Sequence, residues 1–201
     1  MAHLTHTLQR IAVFLDRDGT LGPDTGYVTD IDQFQLFPST ADAIIRLNRL
    51  GVKVIMVTNQ SAIARGISSL QLVEQVNQRV ADDLLAAGAR LDATYYCPHH
   101  RTGSVPEYTA ECDCRKPRTG MALQAQRELN LDLPSSFVVG DKAADIQLAH
   151  NFGGRGILVT TGLPEYRPLE KLQEKGWPAP FAVEQSLPDA VERIHNALTT
   201  P

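Results

Sequence analysis

Five short apolar runs, rich in β-branched residues, recur along this chain, separated by loops and by stretches with helical spacing. They are Ile11–Leu15 (IAVFL), Val52–Val57 (VKVIMV), Ala93–Tyr96 (ATYY), Phe137–Val139 (FVV) and Gly156–Val159 (GILV). An unbroken run such as IAVFL has no polar face to turn toward water, as expected of a parallel strand covered on both sides. Between the runs, Ser39–Leu50 reads as a helix that opens at Ser39 or Thr40 and stops at Gly51. A capping box at Ser68-x-x-Gln71 starts another, with Val73, Val76, Val80 and Leu84 on one face and Gly88 as terminator. Further helices are expected over Gly120–Leu129, Ala143–Asn151 and Pro188–Leu198, with a loop-rich return over Gly162–Pro180. This β–α alternation predicts the α/β class, a doubly wound and mostly parallel sheet with helices on both faces.

In such sheets ligands sit beyond the carboxyl ends of the strands. The first strand runs into Asp16-Arg17-Asp18-Gly19-Thr20, the second into Thr58-Asn59-Gln60, and the fourth into Gly140-Asp141-Lys142. Three polar clusters are therefore expected on one edge of one sheet. Two carboxylates at i and i+2, bent around a glycine, can divide labour between nucleophile or metal ligand and proton transfer. With Asp141 the site carries three negative charges and needs a cation; hard oxygen donors point to Mg²⁺. A Mg²⁺ site that also offers Thr58, Lys116 and backbone amides suits a phosphate-bearing substrate.

All three cysteines lie between Cys97 and Cys114, as Cys97-x-His99, twelve intervening residues, then Cys112-x-Cys114. Three thiolates and one imidazole make the Cys₃His composition of a closed structural Zn²⁺ site, with adjacent His100 as the alternative imidazole. Free thiols and a Cys97–Cys112 disulfide are the competing readings. The loop spanning 97–114 is too polar and too rich in Gly and Pro to build a core of its own.

The 201 residues carry a formal net charge of −4, which gives no electrostatic reason to expect nucleic acid or an anionic membrane as partner. The length suits one domain over residues 1–201. No apolar segment is long enough to span a membrane, and the start has no signal-peptide core. A cytoplasmic monomer acting on a small molecule is the expectation.

The motifs FLDRDGTL, MVTNQS, CRKP and VVGDKAAD, in this order, resemble the four motifs of the haloacid dehalogenase (HAD) superfamily of phosphohydrolases. GYV at Gly26–Val28, TNQSxIARG at Thr58–Gly66, YYCPHH at Tyr95–His100 and CDCRKPxxGM at Cys112–Met121 narrow the resemblance to the branch related to histidinol-phosphate phosphatases. It spans roughly Val13 to Gly162. The resemblance implies a Rossmann-like HAD sheet and a Mg²⁺-dependent phosphomonoesterase working through an aspartyl-phosphate. Asp16 would be the nucleophile and Asp18 the general acid and base. Thr58 and Lys116 would bind the phosphoryl group, and Asp16, Asp141 and the carbonyl of Asp18 would hold Mg²⁺. Asp24, Thr25, Gly26, Tyr27, Asn59, Gln60, Ser61, Arg115 and Lys142 would contact substrate, while Asp145 would support the lysine or the metal from behind. The branch pattern Cys-x-His favours His99 as fourth Zn²⁺ ligand. The implied substrate is a heptose 1,7-bisphosphate cleaved at C7. Histidinol phosphate or another small sugar phosphate is the alternative, and a zinc-stabilised binding module with an inactive HAD core the non-enzymatic one.

Two positions depart from the branch pattern: Gly22 where Asn is common and Ala62 where Gly is usual. Neither removes a catalytic group. Neither Leu21–Gly51 nor Ser61–Glu111 has room for a cap once its own elements are counted, so no separate cap domain is expected.

Overall fold

The computed structural model describes residues 8–200. Six strands form one sheet in the order β3-β2-β1-β4-β5-β6: β1 (Ala12–Leu15), β2 (Lys53–Asn59), β3 (Ala93–Cys97), β4 (Phe137–Gly140), β5 (Arg155–Val159) and β6 (Ala182–Glu184). Every neighbouring pair is parallel. The helices are α1 (Thr40–Leu50), α2 (Leu70–Ala86), α3 (Gly120–Leu129), α4 (Ala143–Asn151), α5 (Pro168–Glu174) and α6 (Leu187–Thr199).

Alternate residues of β1 feed two cores, which is why IAVFL is apolar throughout. Val13 and Leu15 pack with Ile44 and Leu47 of α1, Val76 and Val80 of α2, and Val191 and Ile194 of α6. Ala12 and Phe14 pack on the opposite face with Met121 and Ala125 of α3 and Leu148 of α4. Burying side chains of this size contributes roughly 1.5–3 kcal/mol each, so both faces of the strand help hold the edge that carries the site. The strand order reverses between β1 and β4, and a ligand crevice opens where the sheet switches direction. Asp16 leaves β1 and Asp141 leaves β4 at that switch.

Two local expectations need correction. The cap of α2 is Ser69, one residue later than expected; its hydroxyl accepts the Leu72 N–H at 3.0 Å. The return over residues 162–180 is not all loop: it carries α5, whose Leu172 packs on Ile146 and Leu158. It then leads into the short strand β6. The first connection holds a loop with one 3₁₀ turn (Ile31–Gln33) before α1, and the second holds α2. Among the described residues neither connection builds a separate layer over the sheet edge. No helix among them is long and apolar enough to cross a membrane.

Candidate active site

Beyond the carboxyl ends of β1, β2 and β4 lies a cavity of about 360 Å³, at the small end of the usual ligand-site range. Asp16, Asp18, Asp24, Gly26, Tyr27, Thr58, Asn59, Gln60, Ser61, Arg115, Lys116 and Lys142 all line it. Thr25 does not; it is exposed on the loop beside it. Asp141 lies buried behind the lining. Ala62, Ala144, Asp145 and Tyr166 complete the wall.

Each side chain is aimed by its element. The Asp16 N–H continues the β1–β4 ladder by donating to the Val139 carbonyl at 3.0 Å, so the strand delivers Asp16 at a fixed height. Lys116 Nζ lies 2.9 Å from Asp16 Oδ1 and 2.6 Å from Asp145 Oδ1, and donates to the Val57 carbonyl at 3.0 Å. Asn59 holds the lysine's backbone from both sides: its Oδ1 accepts the Lys116 N–H at 3.0 Å and its amide donates to the Lys116 carbonyl at 3.2 Å. Asp145 sits in the first turn of α4, where its other oxygen accepts the Lys142 N–H at 3.1 Å, a favourable place for an acidic group. Asp24, in the loop after β1, accepts the Tyr166 hydroxyl at 2.6 Å and Lys142 Nζ at 3.1 Å.

Asp18 is gripped from two directions. Arg17 donates to both of its oxygens, from Nε to Oδ1 at 3.0 Å and from Nη2 to Oδ1 at 3.0 Å and Oδ2 at 3.1 Å. Gln60 donates to Oδ2 at 2.8 Å and to the Thr58 hydroxyl at 2.9 Å.

The environments of Asp16 and Asp18 drive their acidities apart. Burial alone would raise Asp16, but Lys116 and Lys142 outweigh it and hold its carboxyl below the usual range. Burial raises Asp18 further than Arg17 can lower it, and the nearby Asp16 charge adds to the rise. Two adjacent carboxyls, one kept ionised and one inclined to hold a proton, are what a nucleophile and a general acid require.

Lys142 Nζ marks a point where oxygens converge: Asp141 Oδ1 at 3.3 Å, the Asp18 carbonyl at 3.4 Å and Asp16 Oδ2 at 3.9 Å. Burial pushes Asp141 up to about 8, with Asp16 and Asp145 adding to the rise against Lys142, and its Oδ2 has no hydrogen-bond partner. Five carboxyl groups (Asp16, Asp18, Asp24, Asp141, Asp145) crowd this end of the sheet, and a divalent cation beside Asp141 would offset the burial and the neighbouring acids that push it toward its neutral form. The all-oxygen donors and the orphaned Asp141 oxygen fit Mg²⁺. The carboxylates of Asp16, Asp141 and Asp145 lie within 4.8 Å of one another. Asp18 faces the convergence point through its carbonyl, since its carboxylate is turned to Arg17.

Glycines make this crowding possible. A Cβ on Gly19, which has φ of +82°, would stand 2.4 Å from Asp141 Oδ2, and one on Gly162 would stand 2.2 Å from the same atom. Gly22 is equally confined, with Gln35 O only 2.1 Å from where its Cβ would be. On this path the loop has no room for a side chain at Gly22.

The cysteine loop gathers a second cluster at the end of β3. Cys97 Sγ lies 2.9 Å from Cys114 Sγ and 3.4 Å from Cys112 Sγ, and Cys112 lies 3.2 Å from Cys114. These separations far exceed a disulfide bond, and all three thiols are free. His99 Nδ1 joins the group at 3.4 Å from Cys114 Sγ, whereas His100 Nδ1 faces Thr102. Hydrogen bonding from Cys97, reinforced by His99, pulls Cys114 down to about 5. The donor set fits a closed four-coordinate Zn²⁺ site. It touches the cavity through Arg115, whose Nη1 donates to the His99 carbonyl at 3.2 Å.

Two features were not read from the sequence. Arg17 carries no signal of its own inside DRDGT, although Asn77, a polar residue on the apolar face of α2, signals that something polar is buried there. Tyr166 lies in the proline-rich return and carries no motif signal.

A fold of this order with this arrangement of acids at the switch point defines a class, and comparison with known proteins agrees. The chain belongs to the HAD-like hydrolase family, whose HAD-hydrolase-like profile matches residues 113–190. Its reaction class is phosphoric monoester hydrolysis. It is 48% identical over 158 residues to a Photorhabdus laumondii protein named D-glycero-beta-D-manno-heptose-1,7-bisphosphate 7-phosphatase, covering 76% of this chain and 82% of the relative. The Escherichia coli K12 protein of the same name is 44% identical over 155 residues, covering 76% and 81%. Among solved structures, the D,D-heptose 1,7-bisphosphate phosphatase of B. bronchiseptica, complexed with magnesium and phosphate, superposes with a TM-score of 0.78 at 30% identity. That match covers 93% of this chain and 99% of the other.

Proposed function

We propose that this chain is a Mg²⁺-dependent phosphatase that removes the C7 phosphate of D-glycero-D-manno-heptose 1,7-bisphosphate. The observation that carries the chemistry is geometric: Asp16, 2.9 Å from Lys116 Nζ, and Asp18, held by Arg17 and Gln60, line one cavity at the switch point of the sheet. The named relatives at 44–48% identity supply the sugar.

In this reading Asp16 attacks phosphorus and becomes an aspartyl-phosphate. Asp18 gives its proton to the departing C7 oxygen, then takes one from the water that hydrolyses the intermediate. Thr58 donates to a phosphoryl oxygen and Lys116 balances charge on the transferring group. Preorganised donors of this kind are worth roughly 3–4 kcal/mol each. Asp16, Asp141 and the Asp18 carbonyl hold Mg²⁺, which supplies electrostatic stabilisation of the phosphoryl oxygens. Arg115, Tyr27, Gln60, Ser61 and Lys142 face the sugar and its second phosphate. Asn59, both of whose amide atoms are committed to Lys116, acts by holding that lysine. A zinc-stabilised binding module has no use for Asp16, Asp18, Thr58, Lys116 and Asp141 around one cavity.

Phosphate release from a panel of α- and β-heptose 1,7-bisphosphates, histidinol phosphate and simple sugar phosphates tests the substrate. Heptose bisphosphate is expected to lead the panel in Mg²⁺, with release lost in EDTA. Faster turnover of histidinol phosphate, or release unaffected by EDTA, would sink the proposal.

We assign Zn²⁺ to Cys97, His99, Cys112 and Cys114, where it fixes the backbone that presents Arg115 and Lys116. Removing zinc and restoring Mg²⁺ is expected to lower turnover roughly 10- to 100-fold, as when supporting contacts are lost from a site, while far-ultraviolet dichroism stays near that of the loaded protein. Undiminished turnover in zinc-free protein would refute the link.

A further inference from the structure

Arg17 is the largest fully buried side chain described, at 1% exposure. A guanidinium in such a place costs several kcal/mol of desolvation unless its donors are matched. Here they are: Nε and Nη2 both reach the Asp18 carboxylate, and Nη1 donates to Asn77 Oδ1 at 3.0 Å. The Phe34 ring covers the guanidinium, with Cζ 5.0 Å from its centroid. Arg17 is absent from the cavity wall, so it does not touch substrate, yet the carboxylate it holds is part of that wall.

We propose that Arg17 is a positioning residue: its fork, anchored by Asn77 of α2 and roofed by Phe34, fixes Asp18 in the rotamer from which it exchanges a proton with the departing oxygen. This inference rests on the reading of Asp18 as general acid. In that step the bond from phosphorus to the sugar oxygen breaks and the bond to Asp16 forms. The Asp18 carboxyl proton passes to the leaving oxygen, and the resulting carboxylate later takes a proton from the attacking water. Both transfers need the carboxyl within hydrogen-bond reach of a small target, and a displacement near 1 Å costs about 100-fold. Gln60 grips one Asp18 oxygen, but a single donor permits pivoting about that oxygen. The two-point fork of an arginine prevents it, and a lysine cannot reproduce the fork.

The test compares kcat/KM for two esters, because this ratio reports steps through phosphoryl transfer and excludes later hydrolysis of the intermediate. The heptose bisphosphate releases an alkoxide that needs a proton; p-nitrophenyl phosphate releases a phenolate that leaves without one. In Arg17→Met, kcat/KM for the sugar ester is expected to fall about 100-fold, and that for the nitrophenyl ester less than about threefold. Arg17→Lys is expected to restore little of the sugar-ester rate. Asn77→Leu, a milder loss of the anchor, is expected to show the same split at smaller size and decides the matter if Arg17→Met does not fold. Equal losses on both esters, no loss on either, or full rescue by lysine would overturn the proposal. Asp18→Asn serves as reference. A split there but none in the Arg17 or Asn77 variants removes only this inference, whereas no split in Asp18→Asn removes the acid assignment itself.

Discussion

Asp16→Asn is expected to abolish phosphate release, with a loss of about ten-thousand-fold or more, the scale on which removal of a nucleophile acts. The substitution keeps the shape of the side chain and replaces the anionic carboxylate with a neutral amide, whose remaining oxygen is a poor nucleophile toward phosphorus. It also removes one of the two carboxylates against Lys116, but Asp145 remains 2.6 Å from that ammonium, so the lysine keeps a partner and the fold persists. Zinc content is expected to match the unmodified protein, because Cys97, His99, Cys112 and Cys114 make no contact with Asp16. Measured phosphate release together with metal analysis checks both halves. A variant with full turnover would end the nucleophile assignment, and loss of zinc would show that the two clusters are not independent.

Lys116→Met is expected to damage stability as well as turnover. Lys116 is buried between two buried carboxylates, and burial would lower its pKa were it not outweighed by Asp145 and Asp16, which raise it. Methionine fills a similar volume but leaves Asp16 and Asp145 facing each other with only Lys142, 3.9 Å from Asp16, as a nearby cation. Stranding buried charges in this way costs roughly 3–5 kcal/mol, measurable by chemical denaturation. Adding Asp145→Asn relieves part of the repulsion, so the double variant is expected to regain stability without regaining activity. A single variant as stable and as active as the unmodified protein would contradict the arrangement of this triad.

The parts of the fold readable from sequence are those in which one physical requirement dominates. IAVFL, VKVIMV and FVV lie in strands buried on both faces, so their composition alone identified them. Gly51 ends α1 with φ of +82°, a conformation that glycine adopts without strain. Where requirements compete, local pattern does not decide. Ser68 and Ser69 are both capping residues, and the cap falls at Ser69, whose backbone is extended (φ −88°, ψ 158°) and whose hydroxyl accepts the Leu72 N–H. β6 has three residues, with Val183 exposed at the sheet edge, and its sequence lacks the apolar run of a covered strand. α5 begins at Pro168, and its surrounding prolines read as punctuation although proline is well tolerated in a first helical turn.

The site divides in the same way. Motif residues at strand ends could be placed on one sheet edge because the topology of an α/β sheet forces them there. Residues that act through a partner have no such signature. Arg17 is one position from two functional candidates, and only the folded chain shows that its side chain turns back into the core to meet Asn77. Tyr166 reaches Asp24 across 142 residues of sequence, a contact that no local pattern encodes. Thr25 sits inside a run of cavity residues, yet it is exposed and absent from the lining, beside the turn in which Gly26 N–H donates to Asp24 Oδ1.

The most direct measurement of the central claim is phosphorus NMR of D-glycero-D-manno-heptose 1,7-bisphosphate during turnover by the full chain in Mg²⁺. The C7 monoester resonance is expected to decay as inorganic phosphate grows, with the C1 anomeric phosphate left intact. Loss of the C1 resonance first, or no inorganic phosphate from an enzyme loaded with Mg²⁺ and Zn²⁺, would contradict it.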